Sequence, residues 1–259
     1  MARALVPTPG PFSLELASRS PARVLRKSRR GTHECVRYNM KIAEIFYSIQ
    51  GEGTLAGVPS VFIRTSGCNL RCEWCDTPYT SWNPEGRDMT VAGIVEQARS
   101  YGASHVVVTG GEPMLFEETV ELTRSLDMHV TIETAGTVYK PVKCDLMSIS
   151  PKLANSTPEG QFHAQHDRLR YQPEVLRKLI GEYDYQLKFV VSSPEDLTEI
   201  AVLLDQVAAG RNRVLLMPEG TDSETIRTRA RWIAELCKRE GFRYSPRLHV
   251  DLWGNERGR

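Results

Sequence analysis

The 259 residues contain no apolar run approaching the ~20 needed to cross a bilayer, and no apolar leader segment near the start. We therefore expect a cytoplasmic protein with no membrane partner. Net charge is nearly absent too, with 33 basic against 32 acidic side chains. That balance gives no reason to expect nucleic acid or an acidic lipid surface as partner. No internal repeat or low-complexity tract is visible. Cysteines are few, six in all, and a chain of this length buries enough core to need no disulfide staples. Three of the six crowd into "SGCNLRCEWCDT" at 66–77. No fourth cysteine, second C-x-x-C or H-x-x-x-H follows them to close a structural metal site.

The balanced total hides an asymmetry. Residues 1–39 hold eight basic and two acidic side chains, so the remainder carries 25 and 30, a net charge of −5. This first stretch has four prolines and no sustained period, and it reads as a disordered extension. A basic, acid-poor start can be a transit peptide. The plainer reading, which we prefer, is an over-extended start, because Met40 opens the strand-like "MKIAEIFYSIQGEG". We expect one catalytic domain over 40–259.

Within that domain short β-rich runs begin near 61, 105, 129, 146, 186 and 214. Helical patterns over 91–101, 117–126, 173–180, 193–210 and 222–241 separate most of them. Thr90 is placed to cap the first. The fourth has Ser193 as a cap, Pro194 at its first position and Gly210 after its end. Residues 152–172 are polar and read as a long loop. Strands alternating with helices imply an α/β fold with parallel strands. Six strands are too few for a closed eight-stranded barrel, which leaves a partial (β/α)6-type barrel or a doubly wound sheet. In either, ligands sit beyond the C-terminal strand ends, where "SGCNLRC", "TGGEP", "ETAG", "SPK" and "MPEG" fall.

Cys68, Cys72 and Cys75 have the spacing C-x-x-x-C-x-x-C. Thiolates suit zinc or iron–sulfur clusters. Asp76 is too local to complete a zinc tetrahedron comfortably. Three thiolates on a 4Fe–4S cube leave one iron open to a substrate or cofactor. Cys35, Cys144 and Cys237 are dispersed, and the last two read as small apolar fillers.

The phrase "GCNLRCEWCDT" resembles the radical S-adenosylmethionine superfamily. With "EIFYSIQGEG", "VVVTGGEPML", "TIETAGT", "SISPK" and "RLHVDLWGN", the likeness within it is to the 7-carboxy-7-deazaguanine synthase family of the 7-deazapurine (queuosine) pathway. It spans most of 40–259 and implies a radical SAM core, the partial barrel. It also implies a lyase that binds a 4Fe–4S cluster on Cys68, Cys72 and Cys75, S-adenosylmethionine on the open iron, and Mg²⁺ at Thr77. The 5′-deoxyadenosyl radical so produced takes a hydrogen from 6-carboxy-5,6,7,8-tetrahydropterin, the ring contracts, and ammonia leaves. A ferredoxin or flavodoxin as electron donor and a homodimer are further expectations.

The same resemblance assigns the cofactor to Gly111, Glu112, Thr134, Ser150, Pro151 and Lys152, with Glu133 a further polar group for ribose. It assigns the pterin to Ile49, Gln50, Gly51, Glu52, Arg64, Thr109 and His249. Each has a plainer reading. "GGE" and "QGEG" are ordinary turns, Lys152 and Arg64 ordinary surface cations, Thr77 a turn residue, and His249 a core histidine on an apolar strand. Asp76 is a competing ligand or a cap. Some family members end in a carboxylate that reaches the pterin just after the histidine. Here the chain runs on through "ERGR", so that contact does not transfer. Two other readings remain: an activase that abstracts hydrogen from a partner protein's glycine, and a non-catalytic zinc-binding module.

Overall fold

A computed structural model describes residues 39–259. The expectation of an extension over 1–39 lies outside these residues except at Asn39, which already belongs to a strand.

The β-rich runs form β1 (Asn39–Ile49), β2 (Pro59–Thr65), β3 (Arg87–Thr90), β4 (His105–Gly110), β5 (His129–Thr134), β6 (Leu146–Ile149), β7 (Tyr185–Val191), β8 (Val214–Pro218) and β9 (Arg243–Tyr244). They make one sheet in the order β3-β1-β2-β4-β5-β6-β7-β8-β9. From β2 onward all pairs are parallel, while β1 is antiparallel to β2 and β3 antiparallel to β1. A doubly wound sheet reverses its strand order at a switch point. Here each parallel strand is added on the same side of the last, which is the winding of a barrel segment. β3 and β9 stay at opposite edges, so the barrel is partial.

The helices are α1 (Pro78–Ser81), α2 (Val91–Ser100), α3 (Glu118–Ser125), α4 (His163–Arg170), α5 (Pro173–Glu182), α6 (Asp196–Val207), α7 (Ser223–Glu240) and α8 (Leu248–Trp253). None among the described residues is long and apolar enough to cross a membrane. The apolar stripes of α2, α3, α5, α6 and α7 meet one face of the sheet. The shared core takes alternate strand residues: Val61 and Ile63, Val106 and Val108, Val130 and Ile132, Met147 and Ile149, Leu187, Phe189 and Val191, Val214 and Leu216. Against them pack Ile94 and Ala98 of α2, Leu122 of α3, Leu176 and Leu179 of α5, Ile200 and Leu203 of α6 and Ile233 of α7. Side chains alternate across a strand. The opposite parity therefore faces inward: Arg64, Thr109, Glu133, Ser148, Gln186 and Lys188.

Three local expectations change. Residues 152–172 are not a plain loop, since they hold two short 3₁₀ turns and α4. The "RLHVDLW" stretch is the helix α8 rather than a strand, which puts His249 on a turn of helix. α6 starts at Asp196, not after a Ser193 cap. The Asp196 carboxylate instead takes the amide protons of Ser192 and Ser193 at 2.8 and 3.1 Å, which fixes the turn leading into the helix, and α6 has no side-chain cap of its own. α6 also ends before Gly210, because Ala208 takes the left-handed turn at φ 53°. Thr90 caps α2 as expected, accepting from the Gly93 amide.

An L-residue with a Cβ is strained in the left-handed region. Ala208→Gly should therefore raise stability by about 0.5–1 kcal/mol, the relief of strain outweighing the added freedom of the unfolded chain. The urea midpoint tests this, and a lower midpoint refutes it.

Candidate functional site

The inward parity of the strands and the loops beyond their C-terminal ends enclose a cavity of about 490 Å³, within the range of small-molecule sites. Cys68, Cys72, Cys75, Thr77, Gly111, Thr134, Ser150, Lys152, Ile49, Gln50, Gly51, Glu52, Arg64, Thr109 and His249 all line it. Glu112 and Pro151 do not. Glu112 is fully buried, and its carboxylate accepts from the Met114 amide at 3.0 Å, the Thr134 hydroxyl at 2.8 Å and the Ala135 amide at 2.8 Å. Burial pushes its carboxyl up and these donors oppose that. Its work is to tie the turn after β4 to the turn after β5. Pro151 is buried beside the cavity rather than in its wall.

The three thiols follow β2 on a loop without regular structure. Burial pushes the Cys68 thiol up to about 12 and the Cys72 thiol up to about 11. Thiolates there need a neighbouring positive charge, which iron supplies. No three His, Cys, Asp or Glu among the described residues are grouped as a single metal ion requires. A four-iron cube takes one thiolate per corner, so its donors need not converge on a point. The residues thus fit a cluster better than mononuclear zinc.

The "TGG" turn is fixed by close backbone approach. A Cβ on Gly110, at φ +124°, would stand 2.2 Å from the Thr65 carbonyl oxygen, and one on Gly111 would stand 2.1 Å from that of Gly67. Both positions therefore exclude a side chain. The glycines press the end of β4 against the loop leading to Cys68.

Three of the expected substrate residues, Gln50, Glu52 and Thr109, form one bonded set with Glu133. Gln50 donates to Glu133 at 3.1 Å and accepts from the Glu52 amide at 3.1 Å, and the Thr109 hydroxyl donates to Glu133 at 2.8 Å. A Cβ on Gly51 would stand 2.0 Å from His249 Nδ1, so α8 packs directly on the "QGEG" turn. Arg64 lines the cavity, but its Nε pairs with Glu44 at 2.7 Å, so only part of its fork is free. Lys152 Nζ bonds Ser150 at 3.1 Å and stands 5.4 Å from the Trp74 ring.

Two cations were missed by sequence reasoning. Lys188 pairs with Glu52 and lies 3.9 Å from Glu133. Arg247 pairs with Asp76, lies 3.3 Å from Glu52 and donates to the Gly220 carbonyl at 2.6 Å. Asp76 is thereby engaged with an arginine. Burial works against ionising Glu52, but Lys188 and then Arg247 overcome it and hold the carboxyl well below the ordinary carboxylate range. Lys188 carried a signal, being a lysine within the otherwise apolar run "LKFVV". Arg247 carried only its place at the head of "RLHVDLWGN", two residues before His249. The tail also joins the site, with Asn255 to Arg259 lining the cavity. Arg257 pairs with Glu44 at 3.2 Å and Glu85 at 3.0 Å and lies 4.0 Å over the Tyr79 ring.

A thiol loop at the C-terminal mouth of a partial parallel barrel, above a polar cavity, defines the radical SAM class. The profile described as the Radical SAM superfamily matches residues 62–244. The 7-carboxy-7-deazaguanine synthase of Halobacterium salinarum is 46% identical over 234 residues, 83% of this chain and 91% of the relative. That of Rhodopirellula baltica is 42% identical, covering 85% and 89%. The crystal structure of QueE from Escherichia coli aligns with a TM-score of 0.60 at 26% identity, over 81% of this chain and 93% of the other. The chain belongs to the 7-carboxy-7-deazaguanine synthase family of the radical SAM superfamily. These matches do not favour the activase or the zinc-binding module.

Two outcomes follow from the buried charges. Lys188→Met strips Glu52 of its nearer cation and leaves Arg247, at 3.3 Å, as its remaining partner, so the cost should fall somewhat below the ~3–5 kcal/mol of a fully unpaired buried charge. Lys188→Met with Glu52→Gln should recover most of the loss, as read by urea denaturation at neutral pH. Equal losses in single and double variants would refute the coupling. Because folding lowers the Glu52 pKa, its contribution is present above the ordinary carboxylate range and drains away as pH falls below about 4.3. Glu52→Gln should flatten that acid limb of the stability profile. An unchanged limb would mean that Glu52 is not the group responsible.

Proposed function

We propose that this chain converts 6-carboxy-5,6,7,8-tetrahydropterin to 7-carboxy-7-deazaguanine with loss of ammonia, as a radical SAM lyase. The observation that carries the reading is one cavity walled both by three cysteines and by a preformed amide–carboxylate row. When bound, a 4Fe–4S cluster and S-adenosylmethionine supply a 5′-deoxyadenosyl radical that abstracts hydrogen from the substrate. Everything else is aim and exclusion of water, and it falls to the chain's own residues.

Cys68, Cys72 and Cys75 hold the cluster. Gly111, Ser150 and Lys152 border the adjoining space, where the cofactor's polar groups are to be met. The pterin edge offers neighbouring N–H donors and a carbonyl acceptor. Gln50, Glu52 and Glu133 offer the complementary carboxylates and carboxamide. Lys188 and Arg247 keep Glu52 ionised, so it accepts hydrogen bonds rather than donating them. Arg64 is placed for the substrate carboxylate with the nitrogens that Glu44 does not use. His249, neutral because burial pushes its pKa down, offers a ring nitrogen from α8. The Thr77 hydroxyl is the protein oxygen available to a Mg²⁺ that keeps its waters. The tail from Asn255 to Arg259 borders the same cavity. A small ferredoxin or flavodoxin as electron donor, a homodimer and a cytoplasmic setting complete the proposal.

Anaerobic turnover with the carboxytetrahydropterin, followed by mass spectrometry, tests it. Protein reconstituted with iron and sulfide should be brown and give the deazapurine product only with S-adenosylmethionine present. Cys72→Ala should lose both the colour and the product. Cofactor cleavage without a deazapurine would overturn the substrate assignment. Zinc in place of iron would overturn the whole reading.

A further inference from the structure

The loop from Cys68 to Cys75 has no helix or strand to hold it, yet its thiols must keep fixed positions. Its backbone is bonded instead to the segment 153–166. The Arg71 amide donates to His166 Nδ1 at 3.1 Å. The Glu73 amide donates to the Ser156 carbonyl at 2.9 Å. The Trp74 indole donates to the Asn155 carbonyl at 3.0 Å. From the other side Trp82 donates to the Cys72 carbonyl at 3.0 Å, and its ring meets Phe162 edge-on at 5.6 Å. Asn155 is itself moored to Asp196 at the start of α6 by a bond of 2.9 Å.

His166 is the centre of this arrangement. It is buried, with 1% of its surface exposed, and both ring nitrogens are engaged. The Arg71 amide can only donate, so Nδ1 is the bare nitrogen and Nε2 carries the proton. Nε2 then donates to the Ser156 hydroxyl oxygen at 3.0 Å, and that hydroxyl donates to the Leu153 carbonyl at 2.6 Å. The chain of donors runs in one direction from the cysteine loop to the start of the segment, with every proton placed.

We infer that His166 is a positioning residue for the cluster: through Ser156 it fixes the Arg71 peptide, and so holds an amide proton away from the cluster sulfurs. This rests on the cluster reading above. Amide protons aimed at cluster sulfur favour the reduced state and raise the potential. Residues outside the direct ligands commonly change metal affinity 10- to 100-fold when lost. His166 thus acts on two quantities, how long iron stays and how strongly the reduced cluster drives electron transfer.

The test uses the full chain, reconstituted anaerobically with iron and sulfide. Wild type, His166→Ala and His166→Asn are compared by iron release to a chelator and by the midpoint potential from a spectroscopic redox titration. His166→Ala should release iron roughly tenfold faster or more, with a potential moved positive. His166→Asn places an acceptor oxygen near the Nδ1 position and should return both toward wild type. In cluster-free protein the Arg71 amide should exchange with solvent faster in His166→Ala than in wild type. Should His166→Ala fail to fold, Ser156→Ala cuts the chain one link further out and serves the same comparison. Wild type that takes up no iron sinks the functional reading and this inference with it. Wild type that takes up iron, with His166→Ala indistinguishable from it in release and potential, sinks this inference alone. Loss in His166→Ala that His166→Asn does not relieve also sinks it, since the acceptor is then not what matters.

Discussion

A parallel strand in a partial barrel presents alternate side chains to two unlike surroundings, helices outside and a cavity inside. The site depends on that alternation. In β7 the residues Leu187, Phe189 and Val191 enter the core, while Lys188 and Val190 face the cavity. In β5 Val130 and Ile132 point outward and Glu133 inward. Register then lines the inward residues up across the sheet: Arg64 pairs with Thr109, Glu133 with Ser148 and Ser148 with Gln186. A one-residue slip in any strand would bury its polar set against helices and turn its apolar set into the cavity. The core therefore holds the site in register as well as holding the protein together.

An inward polar face in a sheltered cavity raises an energetic problem. Each buried charge loses several kcal/mol of hydration unless it is paired and bonded. The chain answers with a connected set. Glu52 lies between Lys188 and Arg247, Arg247 reaches on to Asp76 beside Cys75, and Glu133 takes Gln50 and Thr109. Pairing keeps these groups charged and gives each a fixed direction. A ligand that replaces water over such a set meets dipoles already oriented, so little reorganisation remains at the moment of reaction. The same set joins the cysteine loop to the substrate wall, because Arg247 touches residues of both.

How much of this was legible follows from how local each signal is. The cysteine loop, the glycine turn and the βα alternation are written in short stretches, and the structure keeps them. α7 also ends where its glycine stands, with Gly241 in the left-handed conformation. α6 did not follow its pattern. Ser193 and Pro194 look like an entry, but the Asp196 carboxylate takes the amides of Ser192 and Ser193 and holds that stretch as a turn ahead of the helix. Lys188 was legible only through strand parity, once the face opposite the apolar residues was known to be wet. Arg247 and His166 act across 171 and 95 residues of sequence, and nothing near either one marks its partner. Polar composition made 152–172 look structureless, because periodicity detects an apolar stripe and α4 buries only His166.

Strand ends fix the glycine turn and the substrate wall directly, whereas the loop of three thiols has no ladder of its own. Its amides must still find acceptors, since a buried N–H without one costs roughly 1–3 kcal/mol. Had those acceptors been water, the loop could move with the solvent. They are instead carbonyls and an imidazole on a segment moored to α6, beside a glycine turn too tight for any side chain. The loop is held because its donors are met by the 153–166 segment while the Cys72 carbonyl accepts the Trp82 indole proton from the other side. A site meant to steer a radical across a few ångströms needs that rigidity, because a small error in aim loses most of the advantage of proximity.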